Sequence, residues 1–398
     1  MSKNHTEDKM IYANDSVVAL DQAAFSAPTA MLRSGLPNSG AKFLRERSGR
    51  VAFLGGSITQ MNGWSKLIEE DLCARFHETE FQFNNAGIGG TNSTFGVFRF
   101  DDDVLAKGPV DLLFIEFAVN DAAEYRLNNQ RMQAIEGIIR KARQANPATD
   151  ILVLYLADEG KVQAYRESKE PLVITHHERI MAHYDIPVIN LALEMTRRLD
   201  AGHFVWSDFS RDSCHPLPFG DSQYADCIKE FFDTAWKDAS PSCQIKHRPL
   251  PTPLSEDHLA AARLIGTKDA QAWTMVHGWL TELVCNYSGP VDVLTATTPG
   301  EMLTLPFIGT MLAMNAIAGM DAGVLEISID GGAFTEMDLF DNYCHRFHRP
   351  VFHMLAHGLS NGPHTAQLRV ADRQNLLSTG HAVRVLQFGI SSDHGLIK

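Results

Sequence analysis

The sequence predicts an α/β domain built on an open, doubly wound parallel sheet, followed by an antiparallel β-sandwich or jelly roll. Three observations carry this reading. Short apolar runs alternate with helical stretches between residues 49 and 239, the pattern of parallel βαβ units. Pro241, Pro249, Pro251 and Pro253 then cluster, which marks a domain boundary. Beyond residue 290 the apolar positions recur with period two, as in half-buried antiparallel strands. A length of 398 residues also favours two domains over one. The expected organisation is a loosely structured lead-in over 1–48, an α/β domain over 49–239, a proline-rich linker with a helix over 240–290, and a β-sandwich-like domain over 291–398.

Within the α/β stretch, residues 50–54 read as the first strand, followed by a helix from about Gly63 to Phe76. Residues 81–84 form the second strand, and 111–117 the third. The unbroken run Leu112-Leu113-Phe114-Ile115 suits a strand covered on both faces. An amphipathic helix follows over 128–144, a fourth strand over 150–156, a helix over 171–183, a fifth strand over 186–190 and a closing helix over 219–236. In the linker, Ser255 reads as an N-cap, with Leu254 and Leu259 placed as a hydrophobic staple. In the second half, Leu325, Ile327 and Ile329 are expected to face inwards, with Glu326 and Ser328 outwards. Residues 366–370 and 381–388 repeat the alternation. Asp330-Gly331 and Asn361-Gly362 read as hairpin turns.

The formal net charge of −13 argues against nucleic acid or an anionic membrane as a partner. Residues 1–9 are polar and lack the apolar core of a signal peptide. No apolar run approaches the ~18 residues of a membrane-spanning helix. Six cysteines without a CxxC pair read as reduced thiols. A cytoplasmic protein is therefore expected.

Four patches carry chemistry. They are Gly55-Gly56-Ser57-Ile58-Thr59, the segment Asn85 to Asn92 containing Gly87, Gly89 and Gly90, then Ala118-Val119-Asn120-Asp121, and Asp212-Ser213-Cys214-His215-Pro216. The first three each follow a strand, and ligands of open α/β sheets bind at the carboxyl ends of strands. Ser57 is the candidate nucleophile. His215 is its candidate base, and Asp212 the carboxylate that fixes the tautomer. The Ser57 and Gly90 N–H groups and the Asn120 amide are candidate oxyanion donors.

The order and content of these patches resemble the SGNH hydrolases, or GDSL esterases, over about residues 49–237. Gly55 to Ile58 looks like the family's block I, Asn85 to Thr91 like block II, Ala118 to Asp121 like block III, and Asp212 to His215 like the DxxH of block V. The second half is similar to bacterial two-domain members with a β-rich second domain. The resemblance implies a flavodoxin-like sheet, serine ester hydrolysis and no cofactor. Two positions depart from the pattern. Gly56 stands where the family usually carries an aspartate, and Ala118 where it usually carries a glycine.

Other groups weigh less. Cys214 is too close in sequence to His215 to face it as a nucleophile. Trp64 and Phe95 fit either a substrate pocket or the core, and Glu116 either a buried acid behind the site or a plain strand residue. His176-His177-Glu178 is expected to face solvent. His345, His348, His353 and His357, near Asp338 and Asp341, lie in a strand-and-loop context where metal spacing has no meaning. No metal or cofactor is therefore expected. The expected substrate is a small-molecule or oligosaccharide ester, with acetyl esters of carbohydrate preferred by fold-level analogy. A short-chain lipase or aryl esterase, an acyltransferase and a non-catalytic carbohydrate-binding protein are the alternatives. Sequence is silent on oligomeric state.

Overall fold

The computed structural model describes residues 27–122, 128–267, 275–277, 279–286 and 289–392. The chain divides into two compact units. The first runs to Leu254, and the second begins at Ser255 and also takes in Val97–Asp101. Among the described residues no helix is long and apolar enough to cross a membrane.

The first unit opens with β1 (Ala30–Met31), α1 (Pro37–Glu46), β2 (Ser48–Gly55), α2 (Ser57–Gln60), α3 (Trp64–Arg75) and β3 (Glu80–Gly87). Next come α4 (Ser93–Asp103), β4 (Leu112–Glu116), α5 (Ala118–Ala122), α6 (Asn128–Ala145) and β5 (Asp150–Leu154). It closes with α7 (Glu159–Arg166), α8 (Leu172–His183), β6 (Val188–Ile189), α9 (Leu191–Asp200), α10 (Trp206–Phe209) and α11 (Pro218–Ala235). The sheet order is β1-β6-β5-β4-β2-β3. All pairings are parallel except that of β1 with β6.

This topology places the site. The strand order reverses at β2, which has β3 on one side and β4 on the other. A crevice forms at such a switch point. The register aligns Gly55 with Gly87 and with Glu116, so three carboxyl ends meet at one rim. The strands feeding it are rigid: Val51 to Leu54 and Leu112 to Ile115 are fully buried. Local signals start the helices. Asp158 and Asn190 accept the N–H groups of Lys161 and Leu193 at 2.8 and 3.0 Å, capping α7 and α9. Pro37 and Pro218 open α1 and α11.

The second unit holds β7 (Arg263–Gly266), β8 (Met275–His277), β9 (Leu280–Asn286), β10 (Gly289–Ala296), β11 (Met302–Gly309) and β12 (Met311–Ala318). These are followed by β13 (Val324–Ile329), β14 (Thr335–Asp338), β15 (Arg349–Ala356), β16 (Gly362–Val370) and β17 (Val383–Ser391). They form two antiparallel sheets, one ordered β15-β12-β17-β10-β9 with β7 also on β17, the other β14-β13-β16-β11-β8. One apolar core serves both, drawing Leu303, Leu305, Leu325 and Leu368 from the second sheet and Leu312, Met314, Val383 and Val385 from the first.

Several expectations are corrected. Residues 27–48 are structured: β1 adds an edge strand to the sheet, and α1 buries Ala41 and Phe43. The rest of the expected lead-in, 1–26, lies outside the described residues. No helix starts at Ser255. Leu254 donates its N–H to Glu136 Oε1 at 2.6 Å, and only a 3₁₀ turn forms at Leu259–Ala261. Antiparallel strands begin at Arg263 instead of residue 291. Ser328 is buried, because its hydroxyl donates to the Gly332 carbonyl at 2.7 Å. Asp330 and Gly331 take φ of 52° and 73° at the bend between β13 and β14. Asn361-Gly362 is not a hairpin turn, since β15 and β16 belong to different sheets.

Candidate active site

Ser57 follows β2 directly and opens α2, so the sharp strand-to-helix turn presents its hydroxyl at the rim. Its Oγ lies 2.8 Å from His215 Nε2. On the other side of the ring, His215 Nδ1 lies 2.9 Å from Asp212 Oδ2 and 3.1 Å from Oδ1. Three groups separated by up to 158 residues in sequence thus form one continuous relay.

The loop carrying Asp212 and His215 is closed on itself. Ser210 and Pro216 pair as an isolated bridge, and the Ser210 hydroxyl donates to the carbonyls of Asp212 and His215 at 3.0 and 2.7 Å. Trp206 Nε1 donates to the Asp212 carbonyl at 2.9 Å. Asp212 Oδ1 also accepts the N–H groups of Cys214 and His215 at 3.0 and 2.8 Å. Partial burial pushes the Asp212 carboxyl up. The two backbone donors and the imidazole outweigh it and hold the group below the usual carboxylate range. Asp212 is therefore an anion at neutral pH. It accepts the Nδ1–H of His215, which leaves the Nε2 lone pair facing the serine hydroxyl.

Asn120 lies on α5, after β4. Its amide packs against Gly56 so closely that a Cβ there would stand 2.3 Å from Asn120 Oδ1 and 3.5 Å from Nδ2. In this structure the Asn120 amide occupies the space that a side chain at position 56 would need. The next residue on α5, Asp121, is fully buried. Asp121 Oδ1 accepts the Ser93 N–H at 2.9 Å, and its Oδ2 lies 3.0 Å from His177 Nε2.

The glycine loop after β3 is fastened to the turn that carries Ser57. Ile88 donates its N–H to the Gly55 carbonyl at 3.1 Å. Asn85 Nδ2 donates to the Thr59 carbonyl at 2.7 Å, and the Gly89 N–H to Gln60 Oε1 at 2.7 Å. A Cβ on Gly89 would stand 3.7 Å from Ser57 Cβ. Gly90 follows with φ of 71°, the left-handed region that favours glycine.

Glu116 ends β4 beneath this site and is 1% exposed. Burial pushes its carboxyl up to about 8, against hydrogen bonds from the Thr59 hydroxyl and the Gly56 N–H. Thr59 Oγ1 donates to Glu116 Oε2 at 3.1 Å. Glu116 is thus a buried acid that braces the turn carrying Ser57.

Other candidates are sorted by burial. Trp64 is wholly buried against Phe53 and Phe114, and Phe95 is 4% exposed, so both belong to the core. The solvent-facing reading of His176-His177-Glu178 is corrected. Helix α8 packs on α5, which buries His177 against Asp121, while Glu178 accepts from Arg33 and from the Tyr155 hydroxyl. The histidines of 345–357 do not converge. His345 sits by Met320 and His348 by Asp321, while burial pushes His353 down to about 4. The sequence reading missed Asp121 and His177 as supports. The only signal was the position of Asp121, one residue after the candidate donor.

Residues 53–221 match the GDSL-like Lipase/Acylhydrolase family. Among solved structures, a two-domain esterase (CEX) active on acetylated mannans gives a TM-score of 0.77 at 22% identity, over 92% of this chain and 99% of that one. The same kind of esterase co-crystallized with mannopentaose gives 0.72 at 23% identity, over 88% and 92%. No curated protein matches the sequence. The solved structures share the fold of both units, the parallel α/β sheet and the antiparallel sheets after it. The family match falls on the segment that holds Ser57, Asn120, Asp212 and His215, so residues 53–221 are similar to the GDSL-like lipase/acylhydrolases and the protein is a carboxylic ester hydrolase.

Proposed function

We propose that this protein removes acetyl groups from carbohydrate through an acyl-enzyme on Ser57. The Ser57–His215–Asp212 relay, with both contacts under 3.0 Å, carries the reading. His215 Nε2 takes the Ser57 proton as Oγ attacks the ester carbonyl, and Asp212 stabilises the imidazolium. The negative charge moves onto the former carbonyl oxygen. The Asn120 amide and the N–H groups of Ser57 and Gly90 stabilise it there. His215 then gives its proton to the leaving sugar hydroxyl. A water enters, loses a proton to Nε2 and releases acetate, which restores Ser57. This chemistry needs no metal or cofactor.

Carbohydrate as the substrate rests on likeness in fold to esterases described as active on acetylated mannans. The second unit, with its two antiparallel sheets, extends that likeness along most of the chain.

The test compares release from p-nitrophenyl acetate, butyrate and octanoate, and acetate release from acetylated manno-oligosaccharides, by wild type and Ser57→Ala. The expected result is turnover favouring acetyl, lost in the variant. A longer-chain optimum moves the reading to a lipase-like esterase. Turnover that survives Ser57→Ala overturns the mechanism.

A further inference from the structure

The catalytic loop contains a thiol that the hydrolytic cycle does not use. Cys214 separates Ser213 from His215, and its Sγ lies 3.5 Å from His215 Nδ1. His215 Nδ1 in turn lies 2.9 Å from Asp212 Oδ2. Among the described residues, Asp212, Cys214 and His215 are the one group of three potential metal ligands, all within 4.8 Å of one another. Ligand atoms on a tetrahedral zinc ion stand about 3.3–3.7 Å apart, given bond lengths near 2.0–2.3 Å. The three atoms therefore need shifts of about an ångström or less. A thiolate, an imidazole and a carboxylate also form the donor set zinc prefers over magnesium or calcium. Asp212 is exposed, and Cys214 and His215 are half-buried, so an ion reaches them from solvent.

We infer that Asp212, Cys214 and His215 form an inhibitory site for Zn²⁺ on the outer edge of the catalytic relay. This rests on the function proposed above and adds its regulation. A metal on Nδ1 moves the imidazole proton to Nε2. The base that accepts the Ser57 proton is then an N–H donor, and the nucleophile stays protonated. The Cys214 thiol loses its proton to solvent and the carboxylate is already ionised, so the two anionic ligands balance the dication. Water fills the fourth position. No electron transfer is involved, and a chelator reverses the binding.

The experiment uses metal-free full-length protein and two readouts. The first is inhibition of p-nitrophenyl acetate hydrolysis by ZnCl₂ in wild type and Cys214→Ala, each relative to its own rate without zinc, with EDTA recovery. The expected result is reversible inhibition whose midpoint rises at least ~10-fold in Cys214→Ala, as loss of one of three ligands requires. The second is the spectrum on adding CoCl₂ to wild type, Ser57→Ala and Cys214→Ala. A thiolate-to-cobalt charge-transfer band is expected in the first two and not in the third. The cobalt band does not depend on turnover, so it decides the metal site even if the esterase reading fails. Equal zinc midpoints in wild type and Cys214→Ala, or a cobalt band that survives Cys214→Ala, overturns the proposal.

Discussion

Replacing Gly56 by alanine tests the proposed link between the Ser57 turn and Asn120 as an oxyanion donor. The family pattern suggests that a side chain is welcome here, and that an aspartate would restore the usual motif. The structure predicts the opposite. A Cβ at position 56 would lie 2.3 Å from Asn120 Oδ1, well inside contact distance. The backbone φ of −90° lies outside the left-handed region that favours glycine, so the close contact with Asn120 is the obstacle that decides the prediction. The turn is buried and braced by Thr59 and Glu116, so the asparagine amide is the part that gives. It must retreat by about 1 Å, and a misplacement of that size costs on the order of 10² in rate. Complete loss of one oxyanion donor costs about 10²–10³, or roughly 3–4 kcal/mol of barrier. The expected result for Gly56→Ala is a fall of about 10²-fold in kcat on p-nitrophenyl acetate, with KM little changed. Gly56→Asp falls at least as far. The double variant Gly56→Ala/Asn120→Ala is no slower than Asn120→Ala alone, because both changes remove the same interaction. Wild-type kcat in Gly56→Ala, or losses that add in the double variant, would refute the steric reasoning.

Three further predictions follow from the same geometry. Burial holds Glu116 protonated up to about 8, against 4.5 for an ordinary glutamate. The advantage of its neutral form is complete below pH 4.5 and is lost as pH rises through 8, so the folded state binds the extra proton in between. Stability therefore falls with pH across that window, by up to about 1.4 kcal/mol per pH unit from this group, and denaturant titrations of Glu116→Gln are expected to lack that slope. Asp212→Asn keeps the shape of the loop but no longer holds the productive tautomer, and kcat is expected to drop about 10⁴-fold with KM nearly unchanged; a drop under tenfold would remove Asp212 from the relay. Asp121→Ala strands the Ser93 N–H and the buried His177, which costs about 1–3 kcal/mol for each unsatisfied group. Because α5 carries Asn120, kcat is expected to fall about tenfold as well, and a change in melting temperature alone would assign Asp121 a purely structural role.

Much of this fold was legible because its strongest signals are local. The continuous apolar run Leu112 to Ile115 reads as a fully covered strand, and the whole of β4 is buried. The closing helix, expected over 219–236, forms over Pro218–Ala235 with a proline at its first position. What escaped depends on distant partners. Residues 30–31 have no strand signal of their own, and β1 exists because Val188 and Ile189 offer an edge. Helix α4 is rich in phenylalanine and broken by Gly96, a poor helical sequence. It forms where Gly96 gives room for the Phe117 ring, 2.6 Å from a would-be Cβ. In the linker, Ser255 carries a good local capping signal that loses to the tertiary bond between Leu254 and Glu136. Asn361-Gly362 carries a turn signal, but a dipeptide cannot state whether the flanking strands share a sheet.

The site divides along the same line. Ser57, Asn120 and the Asp212–His215 pair stand at strand ends and in a proline-stopped loop, where residue type and position are both readable. Supports that act across the fold are not. His177 sits mid-helix with no local mark, and only the packing of α8 on α5 brings it to Asp121. The glycine at 56 reads as a departure from the family pattern until Asn120 is seen beside it.

The most direct test of the central claim is intact-protein and peptide mass spectrometry of enzyme acid-quenched during turnover of p-nitrophenyl acetate. The account predicts one added acetyl group per chain, located on Ser57, absent in Ser57→Ala and formed far more slowly in His215→Ala, which lacks the base for the attack. Full turnover with no acetyl on Ser57, or acetylation at another residue that survives Ser57→Ala, would contradict it.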